Sequence, residues 1–311
     1  MCDLNHPNYR GTDTIEERLS AAFVYPRSKR RQGSVQVRSI DLPRLLGQYD
    51  PSIEVDSFPI EFLGRGPDCI VASKFVTKVP NCSGILKRLR RSGARIFFDL
   101  VDGNPRSTRK IDHLIDGYIC ASHPELSFRK DRGQPAFFVP HNVDSRLTGT
   151  REPASRFRVG YSGAPYNALH LDGMNIEVFD SSRTQQGAEI TDLPSFLASL
   201  SHHYSVRKKE ERGVFKPSLK IYIAALYQRA FVGSREDPES LMLLGDDYPY
   251  LARSSSPEDV AEVLAIARET FGGKVHALAL QKMAIVRRES CPAAIASRMR
   301  AALQFSPQPG T

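Results

Sequence analysis

The chain of 311 residues contains no tryptophan, and its five cysteines never stand at CxxC spacing. The first absence argues against single-stranded nucleic acid as a partner, because such binding needs aromatic platforms interleaved with a basic groove. Nucleic acid is accordingly not an expected partner. The second argues against a disulfide framework or a zinc ribbon, since Cys2, Cys69, Cys82, Cys120 and Cys291 are odd in number and scattered. No metal site is expected. Cys69 and Cys120 fall inside apolar runs and are read as small core residues. A run of about 20 apolar residues is also lacking, so no segment is expected to span a bilayer. The first residues, MCDLNHPNYRGTDTIEERL, are polar and lack the apolar stretch of a secretory leader, which places the expected protein in the cytoplasm. Glycine and proline, at 21 each, are ordinary in number, which excludes collagen-like and linker-like chains.

What is present is a globular composition, 41% hydrophobic and 25% charged, long enough for two domains. Lys and Arg number 43 against 35 Asp and Glu, a formal charge of +8. Such a balance favours anionic partners without choosing among them: nucleotides, phosphates, an acidic membrane surface, or nucleic acid, for which the charge is the sole argument and which ranks last.

Short apolar runs alternate with helix-like segments. Ala21 to Tyr25, Asp68 to Ser73, Ala94 to Leu100, Gly117 to Ser122 and Ala136 to Val139 read as buried strands. Continuous apolar runs of this kind are what parallel strands covered on both faces require. Ser83 to Ser92 reads as a helix with Ile85, Leu86 and Leu89 on one face and four cations around the rest, closed by Gly93. The polar stretch Thr148 to Arg156 is the expected linker, dividing residues 1–150 from 151–311. Beyond it the pattern restarts. Phe157 to Tyr161, Asn175 to Phe179, Tyr204 to Val206 and Ala230 to Gly233 read as strands. Asp192 to Ser201, Pro217 to Arg229, a helix opened by Ser256 with Asp259 three residues on, Lys274 to Arg288, and Pro292 to Gln304 read as helices. The expected fold is α/β, two Rossmann-like domains facing each other across a cleft, with the ligand at the carboxyl ends of the strands.

Several segments offer chemistry, each beside a plainer reading. Asp99 and Asp102 stand at a strand's carboxyl end, for acid/base work or simply as turn residues. His141 is a candidate general base or an ordinary loop histidine. Gly160, Ser162 and Gly163 form a glycine-rich turn able to approach a phosphate. Arg207, Lys216 and Lys220 flank a helix start, either as a diphosphate clamp or as a solvated charge run. Asp246 and Asp247 are candidates for ribose hydroxyls, or else a turn beside the packed Tyr248 and Tyr250.

In order and spacing, ARIFFDLVDG, DGYICAS and FFVPHNVD, followed by FRVGYSGAPYNALHL, HHYSVRKKEERGVFKPSLKIYIAA and LLGDDYPYL, resemble a family of bacterial glycosyltransferases with the GT-B architecture. The likeness runs from about Cys69 to Arg288. It implies transfer of a sugar from a nucleotide-diphosphate donor, a co-substrate held mainly by the C-terminal domain, to a glycan or other hydroxyl acceptor, including lipid-linked ones. By that resemblance Gly160, Ser162, Gly163, Asp246 and Asp247 would contact the donor. Arg207, Lys216 and Lys220 would neutralise its diphosphate without a metal. Asp102 and His141 would be catalytic, with Asp99 and Asn142 on the acceptor side. Polysaccharide biosynthesis and peripheral contact with the inner membrane face, through the cationic helix, are implied as well. The chain departs from the family at Ile223, where Glu or Asn is usual. It departs again at Gln228-Arg229-Ala230, where Gly-x-Pro is usual, and it lacks E-x7-E. These departures keep open a non-catalytic nucleotide- or glycan-binding partner protein.

Overall fold

A computed structural model describes residues 18–64, 66–150, 152–181, 192–207 and 214–306. Cys2, the N-terminal segment and residues 208–213 of the basic run lie outside them.

The first sheet has six parallel strands in the order β2-β1-β3-β4-β5-β6: β1 (Leu19–Tyr25), β2 (Ile53–Pro59), β3 (Cys69–Ser73), β4 (Arg95–Asp99), β5 (Gly117–Cys120) and β6 (Ala136–Phe138). Alternate residues of β3 and β4 serve opposite faces. Ile70, Ala72, Ile96 and Phe98 pack on one side with Leu86 and Leu89 of α3 (Cys82–Arg91). Cys69, Val71 and Phe97 pack on the other. Both faces are therefore dry, which is why the strand sequences run apolar without interruption. Burial pushes the Cys69 thiol up to about 11, so it behaves as a neutral core group.

β1 and β2 are joined by a continuous helical stretch: α1 (Gly33–Val35), a π-helical segment Gln36–Asp41, and α2 (Leu42–Tyr49). Neither this stretch nor β2 was expected. β2 is an edge strand that alternates buried and open positions, and the π segment breaks the 3.6-residue period.

The second sheet has five parallel strands in the order β11-β10-β9-β7-β8: β7 (Val159–Gly163), β8 (Glu177–Asp180), β9 (His202–Tyr204), β10 (Ala230–Ser234) and β11 (Leu251–Ala252). Its core joins Tyr204, Ile221, Phe231, Tyr248, Tyr250 and Met283. The helices around it include α5 (Leu193–Ser199), α6 (Leu219–Leu226), α7 (Pro238–Leu244), α8 (Pro257–Glu269) and α9 (Lys274–Glu289). Ser256 caps α8 as its spacing indicates, Oγ accepting from Asp259 N at 3.2 Å. Tyr248 and Tyr250 are buried, as the packing reading of that run requires.

The last helix, α10 (Pro292–Gln304), returns to the first sheet. Ile295, Met299 and Leu303 are buried against Phe23, Leu42 and Val71, and the Cys69 thiol lies 3.4 Å from Leu303 O. The chain thus crosses between the domains twice, once near residues 139–150 and once between α9 and α10. Gln228 holds the first crossing, donating to Thr150 O at 2.9 Å, and Arg229 donates to Glu152 O at 2.8 Å. Gln228 takes φ 55, a left-handed conformation that glycine adopts more readily.

Candidate functional site

Strand order reverses at β7 in the second sheet, with β8 on one side and β9 on the other. Chain leaving the two adjacent carboxyl ends diverges there and leaves a crevice. A cavity of about 210 Å³ occupies it, lined by Tyr161, Gly163, Asn167, Ser205, Arg207 and the segment 216–220, with Asp102 and His141 from the first domain opposite.

Three cations converge on this cavity from different elements. Arg207 follows β9 and is aimed by Asp237, whose Oδ1 accepts from Nη2 at 3.0 Å, and by Lys216 O, also at 3.0 Å. Those contacts hold Lys216 extended, as does the proline that follows it. Helix α6 therefore starts at Leu219, two residues beyond Pro217, rather than at the proline. Lys216 and Lys220 do not share an exposed helix face as the solvated reading has it. Lys216 precedes the helix and Lys220 lies in its first turn. The Lys220 ammonium sits over the Tyr161 ring, 4.6 Å from its centroid. Burial pulls Lys220 down to about 8, with Arg207 and Lys216 adding repulsion. The free N–H groups of the α6 N-terminus add partial positive charge. The wall thus gathers three cations, of which Arg207 is paired with Asp237.

Gly163 ends β7 at φ 148. A Cβ there would lie 2.8 Å from the Tyr161 hydroxyl and 3.1 Å from Lys220 Nζ. Gly160 and Ser162 do not join the cavity. A Cβ on Gly160 would meet Leu200 Cδ2 at 2.5 Å, so that glycine serves packing on α5. Ser162 lies between two cavity residues on a strand and faces the other way.

The opposite wall belongs to the first domain. Asp102 follows β4 in a left-handed turn, φ 58. Lys74 Nζ holds this turn, donating to Val101 O at 2.7 Å. His141 is buried, its Nδ1 2.8 Å from Asn142 O. A carbonyl only accepts, so Nδ1 carries the proton and Nε2 keeps a lone pair. Burial, then the nearby Arg38 charge, pulls the imidazole down to about 4, so it is neutral at physiological pH.

Asp99 does not line the cavity. It is buried, and Oδ2 accepts from Arg38 Nε at 2.8 Å. Arg38 also donates to Pro140 O at 2.9 Å and Val139 O at 3.3 Å. The pair is the frame that aims His141. Asn142 is turned away as well, donating from Nδ2 to Val37 O at 3.0 Å. Asp246 and Asp247 lie outside the cavity, engaged by Arg235 at 3.1 Å and Lys282 at 2.8 Å. Ile223 packs with Leu147, Leu197 and Tyr227.

The structure therefore brings together Asp102, His141, Gly163, Arg207, Lys216 and Lys220, and leaves out Gly160, Ser162, Asp246 and Asp247. Sequence reasoning missed Tyr161, Asn167 and Ser205 as lining residues, and Arg38 and Lys74 as supports. Tyr161 was within reach, because it alternates with Gly163 on a strand. Arg38 carried no signal, since its partner is 61 residues away. Among the described residues, no cluster of three His, Cys, Asp or Glu side chains is placed to hold a metal ion.

No family model matches the chain, and no curated relative matches it by sequence. Solved structures match its fold. HepE from Anabaena in complex with UDP superposes with a TM-score of 0.64 at 13% identity, covering 92% of this chain and 99% of that one. A glycosyltransferase from Rickettsia africae ESF-5 gives 0.61 at 9% identity, covering 93% and 100%. The DNA-modifying enzyme β-glucosyltransferase gives 0.54 at 10% identity, covering 92% and 99%. The architecture is the GT-B fold, two Rossmann-like domains across a cleft.

Proposed function

We propose that the protein is a glycosyltransferase that moves a hexosyl or related sugar from a nucleotide-diphosphate donor to a hydroxyl of a glycan or lipid-linked acceptor, without a metal ion. The observation that carries this is the convergence of Arg207, Lys216, Lys220 and the α6 N-terminus on one side of a cavity whose other side presents Asp102 and His141. In the reaction the acceptor oxygen bonds to the anomeric carbon, and the bond from that carbon to the diphosphate breaks. Charge developing on the leaving diphosphate falls among the three cations, in a site already organised to receive it. The acceptor proton passes to the Asp102 and His141 wall. Gly163 lets the donor approach the end of β7 closely.

HepE has been solved with UDP and with UDP-glucose, so uridine donors come first among those to test. A thermal-shift screen against UDP, GDP, TDP, CMP and their sugars is the direct experiment. A ligand at a hundred times its Kd stabilises the fold by about 2.7 kcal/mol. Loss of the shift in Lys216→Ala/Lys220→Ala is expected, and an unchanged shift removes the clamp. Nucleotide binding without turnover on any acceptor would favour a non-catalytic partner protein, the reading that Ile223 motivates.

The setting proposed is cytoplasmic polysaccharide synthesis, with peripheral contact at the inner membrane face. No described helix is long and apolar enough to cross a membrane. Lys87, Arg88 and Arg91 of α3 are the cations offered to an anionic leaflet, while Arg90 is bound to Asp116 at 3.0 Å. Equal flotation with neutral and anionic vesicles would remove this contact.

A further inference from the structure

A second, strongly basic pocket adjoins the first-domain side of the cleft. It holds about 250 Å³ and is lined by Arg106, Arg109, Arg129 and Arg132, with Asp112, Phe128 and Gln134. Four guanidinium groups face one carboxylate. Asp112 is engaged from within, its Oδ1 accepting from the Tyr118 hydroxyl at 2.6 Å and its Oδ2 from Gln134 at 3.4 Å. Arg129 is 1% exposed and stacks on Tyr118, 3.7 Å from the ring centroid. One of its nitrogens donates to Gln134 Oε1 at 3.0 Å, while Nε and Nη2 have no hydrogen-bond partner among the described residues. The nearest candidate, Glu125, is 3.9 Å away, beyond hydrogen-bond reach, and burial pushes its carboxyl up. Arg106 and Arg109 are exposed, and among the described residues their side chains make no hydrogen bond or ion pair.

This pocket and the donor cavity are neighbours. Asp102 lines the cavity and Pro105 the pocket, three residues on, a reach of at most roughly 11 Å. Phe128 of the pocket packs on Phe215, with ring centroids 5.1 Å apart, and Phe215 precedes Lys216 of the clamp. A molecule presenting a hydroxyl at Asp102 and His141 would extend along the first domain towards these arginines.

We propose that this pocket is an oxyanion subsite, and that the acceptor is an acidic glycan whose carboxylate or phosphate group is bound by Arg106 and Arg109 over the buried charge of Arg129. Guanidinium groups present paired donors that match the two oxygens of such a group, and charge-assisted bonds of this kind are strong. The assignment of the anion to an acceptor rests on the glycosyltransferase reading above. The pocket's affinity for oxyanions does not.

The test is a thermal-shift titration with D-glucuronate, inorganic phosphate and D-glucose, alongside a separate titration with UDP. It compares the wild-type chain with Arg106→Ala/Arg109→Ala and Lys216→Ala/Lys220→Ala. Both substituted arginines are exposed, and the unliganded melting temperature checks that the variant folds. The expected result is binding of glucuronate or phosphate but not glucose, weakened at least tenfold in the arginine variant, with UDP affinity unchanged within twofold. Glucuronate alone points to a uronic acid, and phosphate alone to a phosphorylated acceptor. Loss of UDP binding in every protein, with anion binding still abolished by Arg106→Ala/Arg109→Ala, would keep the pocket and overturn the donor site. Equal anion affinity in the wild-type and arginine variant, or anion binding lost only in the lysine variant, would overturn the subsite.

Discussion

Glu239 of the second domain caps a helix of the first. Its Oε2 accepts from the backbone N–H of His123 at 2.7 Å, and Oε1 lies 3.4 Å from His123 Nδ1. His123 opens α4 (His123–Lys130), so an anion meets the positive end of a helix across the domain boundary. Glu239 is 1% exposed, and the Phe138 ring lies 4.0 Å from the His123 ring beside it.

Removing this contact should loosen the two domains without unfolding either. Glu239→Ala is expected to cost about 1–2 kcal/mol, the scale of a lost cap. Amide exchange should rise in the first turn of α4 and in α7 together. Exchange confined to α7 would show that the contact does not couple the domains.

Donor affinity should depend on pH through Lys220. Its ammonium, held down to about 8 in the free protein, must be charged to bind a diphosphate. Binding therefore takes up a proton near pH 8, and affinity falls by up to tenfold per unit as pH rises above that value. Titration calorimetry in buffers of different ionisation heat reads the proton directly. The linkage to stability has the opposite sense. The folded state binds fewer protons than the unfolded one between about pH 8 and the ordinary lysine range, so Lys220 ceases to oppose folding as pH rises.

Gly160→Ala and Gly163→Ala should fail in different ways. The first forces a methyl against Leu200 and Phe196, at 2.5 and 2.9 Å. A loss of about 1–3 kcal/mol in stability is expected, with UDP affinity of the folded protein kept. The second places a methyl between Tyr161 and Lys220 at a φ that side chains rarely adopt. It should weaken UDP binding by tenfold or more. Equal effects on affinity from both would contradict the facing assigned along β7.

Acid should destabilise the fold through its buried histidines. His141 is held down to about 4 by burial and Arg38, and burial holds His202 and His203 down to about 3. Each is neutral when folded, whereas unfolded histidine protonates near 6.5. Stability contributed by these groups is complete above pH 6.5 and drains as pH falls towards 4, by about 1.4 kcal/mol per unit for each group. Denaturant midpoints measured from pH 7.5 to 5 check the slope. His141→Gln should flatten one part of it.

Most strands of both sheets were legible because each carries its own evidence. The runs around Ile70, Phe97, Ile119 and Phe231 are apolar at every position, a signature of burial on both faces. β2 was not legible, because an edge strand buries only part of each side chain and its Ile53 and Val55 alternate with charged residues. Arg207, Lys216 and Lys220 meet at one cavity, and their place beside a helix start drew attention to them in the sequence. Asp246 and Asp247 looked equally promising, yet Arg235 and Lys282 engage them elsewhere.

The sequence by itself determined that the chain is α/β, that its strands are parallel and covered, and that a basic segment precedes a helix in its second half. These follow from local periodicity, turn chemistry and charge, which neighbours along the chain decide. Only the tertiary structure decided which of the promising residues meet. Asp102 and His141 line one cavity with Lys220 because two sheets present their carboxyl ends to one cleft. Asp99 is withdrawn from that cleft because Arg38, 61 residues earlier, binds it at 2.8 Å. A partner so distant leaves no trace in local spacing, since contact between them is made only by the packing of the whole domain.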